Sequence, residues 1–340
     1  MKKLIAILLT LILCLGLVAC GADTTSSVAP SDGQGSSAPD STEPEDTVVT
    51  KVLTLKGPTG IGMAKMMEDN KNGKYEFTVA GQPTEAVAAI SGGTADIAAV
   101  PTNLAATLYK KTEKGIKMLA INTLGSLYIL EKGDTIKSVE DLRGKTLYAT
   151  GQGANPEYVL NYILEKNGLK VGEDVTVEFK AEHAELATLM AAGECVLGML
   201  PEPNVASAMA QNPDLRIALN LNDEWNKVAD ENSRLTMGCV IVRAEFLEAH
   251  PEAVKAFLAE LETSIKYAAE NAAEAGKLCE THGIVPKAAL ATKAIPNCNL
   301  TYIDGADMKP AIAGYFEVLF SANKTSVGGA IPDEGFYYIP

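Results

Sequence analysis

Arginine, histidine and tryptophan are scarce in this chain, and each scarcity removes a class of function. Arg143, Arg216, Arg234 and Arg243 form no basic stripe, and a formal net charge of −14 would repel the phosphates of a nucleic acid. His183, His250 and His282 are scattered without ligand spacing, so no metal site is expected. Trp225 is the only tryptophan, and no stacked aromatic run accompanies it. The phosphate-cradling pattern GxxxxGK followed by Ser or Thr is missing, since residues 57–62 lack the lysine, and no nucleophile–base pair or CxxC spacing appears. Neither a cofactor nor enzymatic chemistry is therefore expected. The one long apolar run, residues 4–18, is too short and too early to be a convincing transmembrane span.

What that run does make, with Lys2 and Lys3 before it and small residues ahead of Cys20, is a secretory signal over residues 1–20. Leu17-Val18-Ala19-Cys20 resembles the bacterial lipobox, which implies lipidation of Cys20 and an anchored N-terminus. Residues 21–50, rich in Ser, Pro, Gly, Asp and Thr, have little to bury and read as a solvated tether. The roughly 290 residues from Lys51 onward suit two lobes of moderate size. Removing Lys2 and Lys3 with the signal takes the charge to −16, an acidic balance that favours solubility. Cys195 and Cys239 lie in apolar strand-like runs and read as buried thiols, while a Cys279–Cys298 bridge stays open.

The organising feature is a repeat. Residues 77–101, FTVAGQPTEAVAAISGGTADIAAVP, return in register at 177–201 as VEFKAEHAELATLMAAGECVLGMLP. Each copy passes from a β-rich run through a polar turn to a helical stretch, which ends at Gly93 or Gly193 where a left-handed backbone is needed. A short apolar strand then closes at Pro101 or Pro201. The flanks agree: a strand at 52–55 precedes the loop 57–62, and one at 146–149 precedes the loop 150–155. Helix-like and strand-like runs also follow both prolines. This alternation predicts an α/β fold of two similar lobes with mainly parallel sheets.

Between the copies, residues 134–145, DTIKSVEDLRGK, resemble the segment that leads into the second lobe of bacterial solute-binding proteins. Residues 249–258, AHPEAVKAFL, resemble a helix of the same family, and the likeness extends over nearly the whole chain from Lys51. The chain is thus similar to the type II periplasmic binding proteins of ABC importers, in flavour the sulfonate, nitrate, taurine and thiamine-precursor branch. The resemblance implies two lobes, residues 51–135 with 241–340 and residues 136–240, joined by two hinge strands. It further implies a monomer on the outer face of the bacterial cell membrane, anchored through lipid at Cys20, that closes on a small solute and delivers it to an ABC permease. A two-lobed enzyme and a ligand sensor without transport are the alternatives on the same fold.

Ligands of open parallel sheets collect beyond the carboxyl ends of the strands, near helix N-termini. That rule selects Thr59, Gly60, Gln82, Pro101, Thr102, Asn103 and Thr123 in the first lobe as candidate ligand-binding residues. In the second lobe it selects Gln152, Gly153, Ala154, Asn155, Glu202 and Asn204. The glycines admit close backbone approach, and the hydroxyl and amide groups can orient a ligand. A plain strand-to-helix turn with Thr59 near the cap would use the same residues. No arginine falls on these loops, so a bidentate clamp on a carboxylate or sulfonate is not expected. Glu202 is the notable acidic residue there; either it contacts a neutral or cationic heterocycle or it is solvated at the rim. Residues 222–232, which carry Trp225, read as a lid, with a core or surface-patch role for the tryptophan as the alternative.

Overall fold

The computed structural model describes residues 48–340. The signal, Cys20 and nearly all of the tether lie outside the described residues, and Thr50 already begins the first strand. Eleven strands follow: β1 (Thr50–Leu55), β2 (Tyr75–Ala80), β3 (Ile97–Pro101), β4 (Ile116–Leu124), β5 (Leu127–Lys132), β6 (Thr146–Thr150), β7 (Thr176–Lys180), β8 (Leu197–Pro201), β9 (Leu215–Asn220), β10 (Thr236–Arg243) and β11 (Leu300–Asp304). They form two sheets, ordered β11-β4-β10-β3-β1-β2 and β7-β6-β8-β5-β9.

The repeat maps onto this topology element by element. Strands β2, β1 and β3 are parallel neighbours in one sheet, as β7, β6 and β8 are in the other. Gly93 and Gly193 have φ of 69° and 80° where their helices end. Between β3 and β4 lies β10, and between β8 and β9 lies β5, each antiparallel to both neighbours. The sheets are therefore mainly parallel in strand direction, as expected, and mixed in that β10 and β11 in the first sheet and β5 in the second run against the rest. Each half of the duplication leaves one interior slot, and a strand arriving from the other half fills it.

This exchange also moves the sheet boundaries from 135/136 and 240/241. The first crossing falls between Leu124 and Leu127, because the apolar β5 is an interior strand of the second sheet. The second falls before Thr236, where β10 already pairs with Leu124. Residues 134–145 thus come after the crossing and brace the second sheet. Val139 and Leu142 are buried, Ser138 and Asp141 form a capping box, and buried Glu131 receives the N–H groups of Thr135 and Ile136 together with Arg216. Burial alone would raise the Glu131 pKa, but those hydrogen bonds and the guanidinium hold it below the usual range.

Apolar side chains alternate along the strands and so feed different cores. Val52, Leu119 and Val240 pack with Phe257 and Leu261 on one face of the first sheet. Leu130 and Leu200 pack with Leu186 and Met190 on one face of the second. The remaining faces share a continuous core in which Leu53, Val100 and Ile121 join Ile129, Met199, Trp225 and Tyr315. The C-terminal region is not wholly helical, since β11 adds an edge strand to the first sheet. Nor is it confined to that sheet: the helix Met308–Ala322 also contacts the helix Asn155–Lys166, and Asn323 Nδ2 donates to Tyr158 Oη at 3.2 Å. The segment around Trp225 is the helix Leu221–Val228 with the indole fully buried, so it is no lid.

Cys195, Cys239, Cys279 and Cys298 are all buried free thiols. Burial pushes the Cys279 thiol up to about 12, so it is unreactive at neutral pH. A reductant is therefore expected to leave the unfolding midpoint unchanged; a drop would reveal a stabilising disulfide.

Candidate functional site

Both crossings leave the sheets at the carboxyl ends of β3 and β8, and this geometry brings the two proline loops to the hinges. Pro101 pairs with Gly238 of β10, and Thr102 Oγ1 donates to Thr236 O at 2.6 Å. On the other side Pro201 pairs with Leu127 of β5, and Glu202 N donates to Ser126 O at 3.0 Å. The equivalent loops of the repeat are thus each anchored to a different hinge strand.

Thr59 and Thr123 meet through Asn122, whose Nδ2 donates to Thr59 O at 2.9 Å and whose Oδ1 accepts from Thr123 Oγ1 at 3.3 Å. Gly60 is buried beneath this contact, and Asn103 and Asn204 are half-buried at the starts of their helices. Gln152, Gly153 and Ala154 are exposed, with Asn155 half-buried behind them. Gln82 is exposed and occupied as a cap: it forms a capping box with Glu85, whose Oε1 accepts from Gln82 N at 2.8 Å.

Thr102 and Asn155, which open the helices that follow β3 of one sheet and β6 of the other, converge on one group. Their side chains lie beside the hydroxyl of Tyr315, a fully buried residue of the C-terminal helix. Burial raises the Tyr315 pKa, and the two side chains oppose that rise. The helices they begin, Thr102–Lys111 and Asn155–Lys166, have no side-chain N-cap. Trp225 packs edge-on to Tyr315 at 5.9 Å between ring centroids, and Trp225 Nε1 and Thr236 Oγ1 are buried without a hydrogen-bond partner among the described residues. His183 Nδ1 lies 2.6 Å from Thr150 Oγ1 at the end of β6, and burial lowers its pKa so that the ring is neutral near pH 7.

Glu202 is not solvated at the rim. It is 3% exposed, and its Oε2 accepts from Ala206 N at 3.1 Å. Its Oε1 accepts from Asn297 Nδ2 at 2.9 Å, an amide carried on the first-sheet side of the molecule. The rim alternative fails because nothing in the sequence shows that Asn297 comes to cover the loop. Asn297, Trp225 Nε1, Thr236 and Tyr315 were likewise unforeseen as polar groups of this region. The run Pro296, Asn297, Cys298 and Asn299 was the available sign that helix gives way to turn there.

All four arginines are engaged elsewhere, with Asp174, Glu131, the carbonyls of Glu231 and Ser233, and Asp96 with Glu245. No group of three or more His, Cys, Asp or Glu able to hold a metal ion occurs among the described residues.

Two sheets, each completed by a strand from the other, with facing loops at their carboxyl ends, are the architecture of the periplasmic binding proteins. The sequence pattern of one family within that class, the phosphonate substrate-binding periplasmic proteins of ABC transporters, matches residues 62–288, and the chain belongs to that family. An ABC transporter structure from Parabacteroides distasonis is 28% identical, with a TM-score of 0.72 over 87% of this chain and 99% of that one. The periplasmic aliphatic sulphonate binding protein SsuA of Escherichia coli shares the fold at 15% identity and a TM-score of 0.67, over 86% of this chain and 92% of that one. The alkanesulfonate-binding SsuA of Xanthomonas axonopodis pv. citri, bound to MOPS, shares it at 16% identity and a TM-score of 0.57, over 85% and 96%. Among curated protein sequences, none matches.

Proposed function

We propose that this periplasmic substrate-binding component of an ABC importer is lipid-anchored through Cys20 and carries a small oxyanion, of the phosphonate or sulfonate type, to its permease. The lipobox supports the anchor, and no helix among the described residues is long and apolar enough to cross a membrane. The observation that carries the ligand class is the convergence of Thr102 and Asn155 on Tyr315, at two helix N-termini without side-chain caps. Such termini offer N–H groups and partial positive charge to an anion without any arginine. A cationic solute loses its natural partner, because both Glu202 oxygens are already engaged.

A thermal-shift panel of methylphosphonate, methanesulfonate, nitrate, pyrimidines, amino acids and polyamines tests this reading. Stabilisation by the phosphonate or sulfonate, with the compound recovered unchanged, is expected; stabilisation by polyamines alone would refute it. Asn155→Ala, which removes one half-buried amide, should weaken binding of the stabilising anion by roughly tenfold while leaving the fold intact. Unchanged affinity would take Asn155 out of the site.

A further inference from the structure

Asparagine is followed by glycine twice in the chain, in Lys71-Asn72-Gly73 and in Lys166-Asn167-Gly168. Such a pair carries its own reaction. Once it loses its proton, the glycine nitrogen is a nucleophile beside the asparagine side-chain carbonyl, and glycine has no Cβ to hinder the approach. Both glycines have φ of 70°, and a Cβ added at either would meet nothing within 4 Å. The residue before each pair is also the same, so what separates the two is the surrounding structure.

Asn167 is held in place. It is half-buried at the end of the helix Asn155–Lys166, and its Nδ2 donates to Ile163 O at 2.7 Å. The nucleophile is engaged as well, since Gly168 N donates to Glu165 O at 2.9 Å. Asn72 stands exposed in the turn between the helix Ala64–Asp69 and β2, and its Nδ2 has no partner among the described residues. Gly73 N reaches Asn70 O only at 3.4 Å, beyond the usual hydrogen-bond range. Lys74 N lies 3.3 Å from Asn72 Oδ1, which turns the carbonyl back onto its own turn and sets an N–H beside the oxygen that gains charge during attack.

We propose that Asn72 is a site of spontaneous modification, where the chain exchanges an amide for a carboxylate while Asn167 stays intact. The bond from Gly73 N to Asn72 Cγ forms and the bond from Cγ to Nδ2 breaks. The amide nitrogen leaves as ammonia, with the proton that Gly73 N gave up. Water then opens the cyclic imide at either carbonyl, giving aspartate or isoaspartate, with no change of oxidation state. The new charge falls in a groove already lined by Asp69 and Glu260. Strand β2 is insulated from the change: Asn70 Nδ2 donates to Tyr75 O at 2.7 Å and Asn70 Oδ1 accepts from Tyr75 N at 3.0 Å, which pins the strand start across the turn.

Peptide mapping by mass spectrometry of the folded full chain, held at pH 6 and at pH 8, reads both asparagines in one sample. At pH 8 the Asn72 peptide is expected to convert at least about tenfold faster than the Asn167 peptide, and at pH 6 more slowly than at pH 8, because attack needs the deprotonated nitrogen. Unfolding the chain in urea should bring the two rates together. Gly73→Ala, which keeps Asn72 and adds a Cβ into open space, should slow its conversion by at least about tenfold. Equal rates at Asn72 and Asn167 in the folded chain, a difference that persists in urea, or unchanged conversion in Gly73→Ala would each overturn the proposal.

Discussion

Trp225→Ala is expected to destabilise the protein by about 3–5 kcal/mol, the range for emptying a large aromatic from a closed core. The indole is fully buried and lies where three elements meet. It packs against Tyr162 of the helix Asn155–Lys166 at 4.7 Å between centroids, and against Tyr315 of the C-terminal helix at 5.9 Å and 72°. One contact belongs to the second sheet's layer, and the other to a helix that also packs on β10. Truncation therefore removes both transfer energy and two aromatic pairs, each worth about 0.5–1.5 kcal/mol. Close packing on both sides limits the collapse that would soften the loss. Trp225→Phe keeps most of the volume and gives up an N–H that has no partner, so its cost should stay below about 1.5 kcal/mol. Urea unfolding followed by circular dichroism measures both. A loss below about 1 kcal/mol for the alanine variant would mean that the junction repacks and that Trp225 does not hold it.

The contrast between Trp225 and the repeat shows what could be read in advance. Residues 77–101 and 177–201 carry their structure locally: alternation marks the strands, a left-handed glycine ends each helix, and Pro101 and Pro201 stand at the strand ends. Those signals depend on neighbours within a few positions, so they survive in sequence. Strand β5 is equally plain as an apolar run, yet nothing local says which sheet receives it, and Gly125 and Ser126 are the only break before it. Membership is decided by the slot between β8 and β9, a tertiary fact. Strand β11 is not legible for a different reason: it is a short edge strand, half-buried at every position, with no clear alternation. The site divides the same way. Topology placed the candidate loops at the strand ends, while the burial of Glu202 depended on Asn297, which lies 95 residues away.

The same division governs the second large effect, expected from Gly60→Ala. A Cβ at Gly60 would stand 2.2 Å from Leu55 O, a backbone atom that no side-chain rotation can move, and 3.1 Å from Ile284 Cγ2. The turn Pro58–Ile61 is fastened on three sides: Gly60 N donates to Gly57 O, Gly57 N to Ile284 O, and Asn122 Nδ2 to Thr59 O. Admitting a methyl group must break one of these or push the turn off the end of β1, at a cost of about 2–3 kcal/mol. The displaced segment carries Thr59 on the first wall of the proposed site, so binding of the stabilising anion should fall by at least roughly tenfold as well. Gly153→Ala serves as the comparison. Its φ of 71° strains an alanine, but nothing lies within 4 Å of the added Cβ, so the loss should be only about 1 kcal/mol. Parallel urea titrations and anion titrations of the two variants separate close approach from backbone strain. Equal stability losses would show that the turn yields to the methyl group. Unchanged anion affinity in Gly60→Ala, with stability reduced as expected, would place the first wall of the site away from Thr59.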